Sequence, residues 1–288
     1  MEINKLFWAM FLNIFIAIGE VIGGILANSL ALVSDAFHNI NDFFALFISY
    51  IADLISKNKK RDLLHSYGYR RLEVLSALLN GLLLLGLFFF LLYEAYERIK
   101  NPPKILGFPT FIVAVLGLVG NILGAGLLHK ESHENLNIRS AFLHLVLDSL
   151  SSVGVIIASL LILWKNIYIA DTVVSLIIAF FVLSGSYDIL KNSIHILLEG
   201  TPYHLNPKEI EESILRVPGV KEVHHLHVWQ IDSKEIALSA HIVVEDQKLS
   251  DAEKICNTIE KRLRENLGIN HSTLQLEVEG GKSCNCEF

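Results

Sequence analysis

The sequence predicts an α-helical membrane protein of six transmembrane helices followed by a small cytoplasmic α+β domain. Three observations lead there. The 288-residue chain is 52% hydrophobic and only 19% charged, with a mean hydropathy of +0.46, more apolar than a soluble protein of this length. Six stretches approach the roughly 20 apolar residues needed to cross a hydrocarbon core about 30 Å thick. Beyond residue 202 the composition turns polar. Residues 203–288 hold ten cationic and fifteen anionic side chains, and so −5 of the formal net charge of −6.

The spans read as 6–27, 33–56, 74–97, 106–129, 140–164 and 168–190, giving a six-helix transmembrane domain over 1–202. The third, with LLLLGLFFFLL, and the fourth are the clearest; the second and fifth are the least apolar. Trp8 and Trp164 fall near helix ends, where amphipathic rings favour the interface. Asn101-Pro102-Pro103 separates the third span from the fourth. Gly19/Gly23 and Gly120/Gly124 have the four-residue spacing of close helix packing. Glu20 and Asn121, inside the first and fourth spans, read as polar links within the bundle. MEINK and the apolar stretch after it lack an A-x-A-like cleavage site, so the first span reads as retained. With the N-terminus in the cytoplasm, inner loops and flanks collect ten Lys and Arg, among them Lys59, Lys60, Arg61, Arg70 and Arg71. The outer side has four: Arg98, Lys100, Lys104 and Lys165. That excess places both termini inside.

The second domain, 203–288, shows its elements by period. Residues 207–217 are helical in pattern and end at Pro218-Gly219. EVHHLHVWQI and EIALSAHIVVE alternate like strands around an Asp232-Ser233-Lys234 turn. Ser250-Asp251-Ala252-Glu253 has the capping-box pattern and opens an amphipathic helix over 250–266. STLQLEVE is a last strand. The order α-β-β-α-β makes a helix-covered sheet. The cysteines are Cys256, Cys284 and Cys286; an odd number, late in the chain, argues against a disulfide framework and for a reducing compartment. The negative balance gives no sign of nucleic-acid binding.

The ionisable residues inside the spans carry the functional signal. SDAFHNINDFFAL puts Asp35, His38 and Asp42 into the second span, where each ionisable group costs roughly 2.5–3.5 kcal/mol even on insertion scales. His38 and Asp42 are one helical turn apart on one face. AFLHLVLDSL in the fifth span repeats the spacing with His144 and Asp148. A single such residue is as readily a hydrogen bond between helices. Two H-x-x-x-D pairs on separate spans favour a metal or proton site. Two nitrogens and two oxygens suit tetrahedral Zn²⁺, and two carboxylates balance its charge. Asp35, three residues before His38, reads as lying beside the site.

At these motifs the chain resembles the cation diffusion facilitator family, and its bacterial cobalt-zinc-cadmium resistance branch in particular. The resemblance runs through SLALVSDAFHNINDFFAL, HSYGYRRLEVLSALLNG, NLNIRSAFLHLVLDSLSSVGVI, LLEGTP, HHLHVWQI and LSAHIVV. It implies proton-coupled export of zinc and related divalent ions by a homodimer with a ferredoxin-like cytoplasmic domain. By motif position it implies that His38, Asp42, His144 and Asp148 form the transport site. Histidine at the first position matches zinc- and cadmium-type members; manganese-type members use carboxylates there, in keeping with a harder ion. Histidine must lose its proton to bind metal and regains one on release, which supplies the coupling. No G-x-x-x-x-G-K-[ST] motif occurs, so no ATP is implied.

The resemblance also implies a cytoplasmic zinc site from His224, His241 and Glu277, near the dimer interface. Strict alternation would turn His225 to the face opposite His224. His271, Cys284 and Cys286 offer a further soft-metal site, C-x-C thiolates being suitable, or else the tail is unliganded. Asp62 and His65 match two ligands of a loop site found in some members, but Tyr69 stands where the third would be. His129 and His133 read as surface histidines, and Cys256 as core. Two other function classes remain. A membrane metalloenzyme needs an open zinc position, and no H-E-x-x-H occurs. A membrane-anchored sensor leaves the paired intramembrane ligands unexplained. The chain is therefore expected to be a transporter and not an enzyme.

Overall fold

The computed structural model describes residues 2–58, 64–129 and 136–278. Asp62, His133, Cys284 and Cys286 lie outside the described residues, as does the side chain of Asp42. The chain divides into two compact units, one of residues 1–50 and 79–190, the other of 51–78 and 191–288.

The first unit is helical. Its elements are α1 (Glu2–Ala27), α2 (Leu30–Asn58), α3 (Arg71–Lys100), α4 (Gly107–Leu128), α5 (Leu136–Lys165) and α6 (Ile169–Leu197), of which α2, α3 and α6 extend into the second. Among the described residues, four helices are long and apolar enough to cross a membrane: α3, α4, the 142–165 part of α5, and α6. A core of Ala31, Leu32, Leu84, Ala114, Val155, Ile178 and Val182 draws one or two residues from each of α2 to α6. Large apolar side chains also point outward, Phe181 at 74% exposure, as a bilayer-facing surface requires.

Small residues let α4 approach its neighbours. A Cβ on Gly23 of α1 would stand 2.6 Å from Val113, and one on Gly117 of α4 would stand 2.5 Å from Glu20 Oε1. Gly120 meets Ile16 as closely, and Gly124 meets Leu145 of α5. Of the four glycines paired in the sequence, Gly19 alone faces open space.

The second unit is built on a three-stranded sheet. α7 (Pro207–Leu215) starts with Asn206 as N-cap, its side chain accepting the Lys208 amide, and with Pro207 at the first position. β1 (Val220–Gln230) and β2 (Ile236–Val244) pair antiparallel, and β3 (His271–Val278) pairs parallel to β2 after α8 (Leu249–Leu267). Leu238, Ala240, Ile242 and Val244 of β2 face α7 and α8, packing on Ile210, Ile214, Ile259 and Leu263. The alternate residues Ser239 and His241 therefore face the other side. The Asp232 carboxylate accepts the amides of Lys234 and Glu235, both at 2.8 Å, and so makes the turn between β1 and β2.

Two local expectations change. α8 begins at Leu249, with Lys248 as an N-cap that makes no side-chain bond, so Ser250 lies in the first turn and does not cap it. The alternation in β1 is broken as well. His224 pairs with His241, but the next pair is His227 with Ser239, so β1 carries one extra residue there. His225 holds φ +49, in the left-handed region, which is the signature of a β-bulge. The bulge brings Leu226 back against the core and leaves His225 on the same side as His224.

Candidate metal centres

Residues of α2 and α5 meet inside the helical unit. The His38 and His144 rings lie 5.9 Å apart in an edge-to-face arrangement. His144 Nε2 is 3.5 Å from Asp148 Oδ2, the i,i+4 contact that the sequence spacing anticipates. Donor atoms of His38, His144 and Asp148 all fall within 4.8 Å of one another, close enough to share one ion. Asp148 is buried, while the two histidines are half-buried. Asp42 stands one turn beyond His38 on α2.

A buried polar shell borders this group. Asp35 accepts a hydrogen bond from Ser151 of α5, whose hydroxyl also lies 2.9 Å from the carbonyl of Asp148. Asn39 donates to Glu20 at 3.4 Å, and Asn41 to Asn80 at 2.7 Å. Asp35, Glu20, Asn39 and Asn121 are each no more than 1% exposed. Carboxylates placed so deep require compensating polar neighbours or a cation.

The sheet carries a second cluster. Glu277 of β3 reaches across β2, with one oxygen 3.1 Å from His224 Nε2 and the other 2.8 Å from His241 Nδ1. These three also offer donor atoms within 4.8 Å of one another. A carboxylate bridging two imidazoles is a favourable arrangement for Zn²⁺, which takes nitrogen and oxygen donors at about 2.0–2.2 Å. His271, at the start of β3, stands edge-on to Tyr67 at 5.8 Å and is not part of this cluster. His65 stacks on Tyr69 at 4.5 Å, and His129 packs beside Phe142.

Two family models cover most of the chain. One described as the cation efflux transmembrane domain matches residues 6–198, and one described as the cation efflux protein cytoplasmic domain matches 202–279. The chain belongs to the cation efflux family. A "Cadmium, cobalt and zinc/H(+)-K(+) antiporter" of Bacillus subtilis is 42% identical over 263 residues, covering 90% of this chain and 84% of the relative. The "Metal cation efflux system protein CzcD" of Cupriavidus metallidurans is 38% identical over 261 residues, 91% of this chain and 82% of that one. "Zinc transporter ZitB" of Escherichia coli is 36% identical over 271 residues, with 93% and 85% covered. Membership makes this a multi-pass membrane protein with a C-terminal cytoplasmic domain.

For this cation efflux protein, sequence reasoning passed over one buried group. Asp171, near the start of α6, is fully buried and accepts bonds from the Ser29 hydroxyl and from the Leu30 and Ala31 amides, with Arg98 Nη1 at 3.9 Å. Arg98 in turn binds the carbonyl and side chain of Asn28. The signal in the sequence was an acidic residue at the start of a mainly apolar span.

Proposed function

We propose that this chain exports Zn²⁺, and with it Cd²⁺ and Co²⁺, from the cytoplasm in exchange for protons. The observation that carries the reading is the convergence of His38, His144 and Asp148 from two helices on a space one ion would fill. Asp42 supplies the fourth donor. A His₂Asp₂ set neutralises the cargo's charge, fits a tetrahedral ion, and must shed protons to bind it. Metal and protons then compete for one set of side chains. Alternate opening to the two sides converts an inward proton gradient into outward metal flux. Relatives whose names record zinc transport and proton antiport, over nine-tenths of this chain, support the same reading.

The wider architecture belongs to this proposal. Residues 1–202 form six spans with both termini in the cytoplasm of a bacterial cell, and 203–288 form the cytoplasmic metal-binding and dimerisation domain. We read its α-β-β-α-β order as the ferredoxin-like βαββαβ arrangement without its first strand. Loss of that strand lets β3 pair directly, and in parallel, with β2. His224, His241 and Glu277 bind cytoplasmic Zn²⁺, and the protein works as a homodimer. His271, Cys284 and Cys286 remain as donors for a further soft-metal site.

The test is zinc flux in proteoliposomes under an imposed pH gradient, with Asp148→Ala as the control. The parent should move zinc against its gradient and the variant should not. Zinc movement indifferent to the pH gradient overturns the coupling; flux retained in Asp148→Ala overturns the site.

A further inference from the structure

The sheet face turned away from α7 and α8 holds more histidine than a three-donor site uses. His224, His225 and His241 form a near-equilateral triangle, with ring centroids 5.2 Å apart for the first pair and 5.1 Å for each of the other two. Glu277 touches two of its corners, leaving His225 as the corner without that contact. An alternating strand would have sent His225 into the core, on the same face as Val223. The bulge at φ +49 sends it instead to the open face, where it lines a concave surface with His227, Ser239, His241, Thr273 and Gln275.

A left-handed backbone at a non-glycine residue is unfavourable and points to a constraint that outweighs it. The core explains part of it, since the shift seats Leu226. It does not explain an imidazole facing two others at about 5 Å. Resident Zn²⁺ sites close with four tetrahedral ligands, and His224, His241 and Glu277 supply three. His225 is exposed, so its ring is free to turn about its side-chain bonds toward the shared centre.

We propose that His225 is the fourth ligand, making the cytoplasmic centre a closed His₃Glu site drawn from one chain. The inference rests on reading His224, His241 and Glu277 as a metal site. It goes further in requiring neither water nor a residue of a second chain to complete the coordination. A closed site of this kind holds its ion as a structural or regulatory element. Binding would then fix the bulge and tie β1, β2 and β3 together on one face.

The test uses the full-length chain carrying Asp148→Ala, so that the intramembrane site does not contribute, with Zn²⁺ affinity read by chelator competition and Co²⁺ as the optical probe. His225→Ala should weaken Zn²⁺ binding at least tenfold and move the cobalt visible bands toward the weaker pattern of higher coordination. His227→Ala should change neither. As a positive marker, His225→Cys is placed in a background with Cys256→Ser, Cys284→Ser and Cys286→Ser. A thiolate-to-cobalt charge-transfer band then reports position 225 at the metal. Unchanged affinity and spectrum in His225→Ala, or a loss at His227→Ala in its place, overturns the proposal while the three-residue site stands. Unchanged binding in His224→Ala and His241→Ala overturns the underlying site instead.

Discussion

Asp171 of α6 accepts the Leu30 amide at 2.6 Å, 141 residues away in sequence, and so caps α2 from another helix. The Ser29 hydroxyl at 2.5 Å and the Ala31 amide at 3.3 Å complete the cap. The first amides of a helix have no partner of their own, and a negative charge suits their positive end. Asp171→Ala strands these donors, together with Arg98, in a buried place. The expected loss is about 3–5 kcal/mol, as for removal of one partner from a buried charged group. Asp171→Asn keeps an acceptor and should lose less. Thermal unfolding in detergent measures both; an alanine variant as stable as the parent defeats the idea.

Gly117 is required because Glu20 occupies the space its side chain would take. A Cβ there stands 2.5 Å from Glu20 Oε1, and Glu20 is 1% exposed. Gly117→Ala must displace a buried carboxylate and separate α1 from α4, at a cost of about 1–3 kcal/mol. The clash disappears when Glu20 is shortened. Gly117→Ala with Glu20→Ala should therefore fall short of the sum of the single effects, and simple additivity would show that the two do not touch.

In the β1–β2 turn, the carboxylate matters more than the salt bridges it makes. Asp232 is 7% exposed and takes two backbone amides. Arg70 reaches Asp232 at 3.2 Å and Glu235 at 3.0 Å, but its side chain is 38% exposed. Asp232→Ala should cost about 1–3 kcal/mol through the abandoned amides. Arg70→Ala should cost under about 1 kcal/mol, as exposed ion pairs do. Hydrogen exchange at Lys234 and Glu235 separates them: faster exchange is expected in the first variant only.

How much of this was legible follows from the range of each interaction. His38/Asp42 and His144/Asp148 were readable because a helix repeats every 3.6 residues, so a four-residue spacing is already a statement about one face. The order of helices and strands along the cytoplasmic unit was readable from period, but the parallel pairing of β3 with β2 was not. His225 was not, although a trace existed: Val223, Leu226 and Val228 cannot share one face of an unbroken strand. Ser250 misled because a local capping pattern competes with tertiary packing, and α8 starts one residue earlier, at Leu249. Asp171 was out of reach for a different reason. Its partners lie at the start of α2, and nothing near residue 171 encodes that distance.

Cys256 is expected to react slowly with alkylating reagents. Burial pushes its thiol up, and the carboxylates of Glu260 and Glu253 raise it further. The thiolate is the reactive form, so less of it is present at neutral pH than for an ordinary cysteine. With Cys284 and Cys286 changed to Ser, the iodoacetamide rate should keep rising with pH beyond the usual thiol range of about 8–9. A rate that levels off below that range contradicts the packing of α8 described here.

The identity of the donor at position 38 should set which metals are moved. In the proposed His₂Asp₂ site an imidazole favours Zn²⁺ and its softer neighbours, whereas an all-oxygen environment suits harder ions. His38→Asp exchanges a neutral nitrogen donor for an anionic oxygen while leaving His144 and Asp148 in contact across the site. It also removes one of the imidazoles that must be deprotonated before metal enters, so the pH dependence of uptake should become shallower. The variant is expected to transport Mn²⁺ better relative to Zn²⁺ by at least about tenfold, a change in relative binding of roughly 1.4 kcal/mol. Competition assays in proteoliposomes at fixed pH gradient measure the ratio. A Zn²⁺-to-Mn²⁺ ratio equal to that of the parent would mean that His38 does not touch the transported ion.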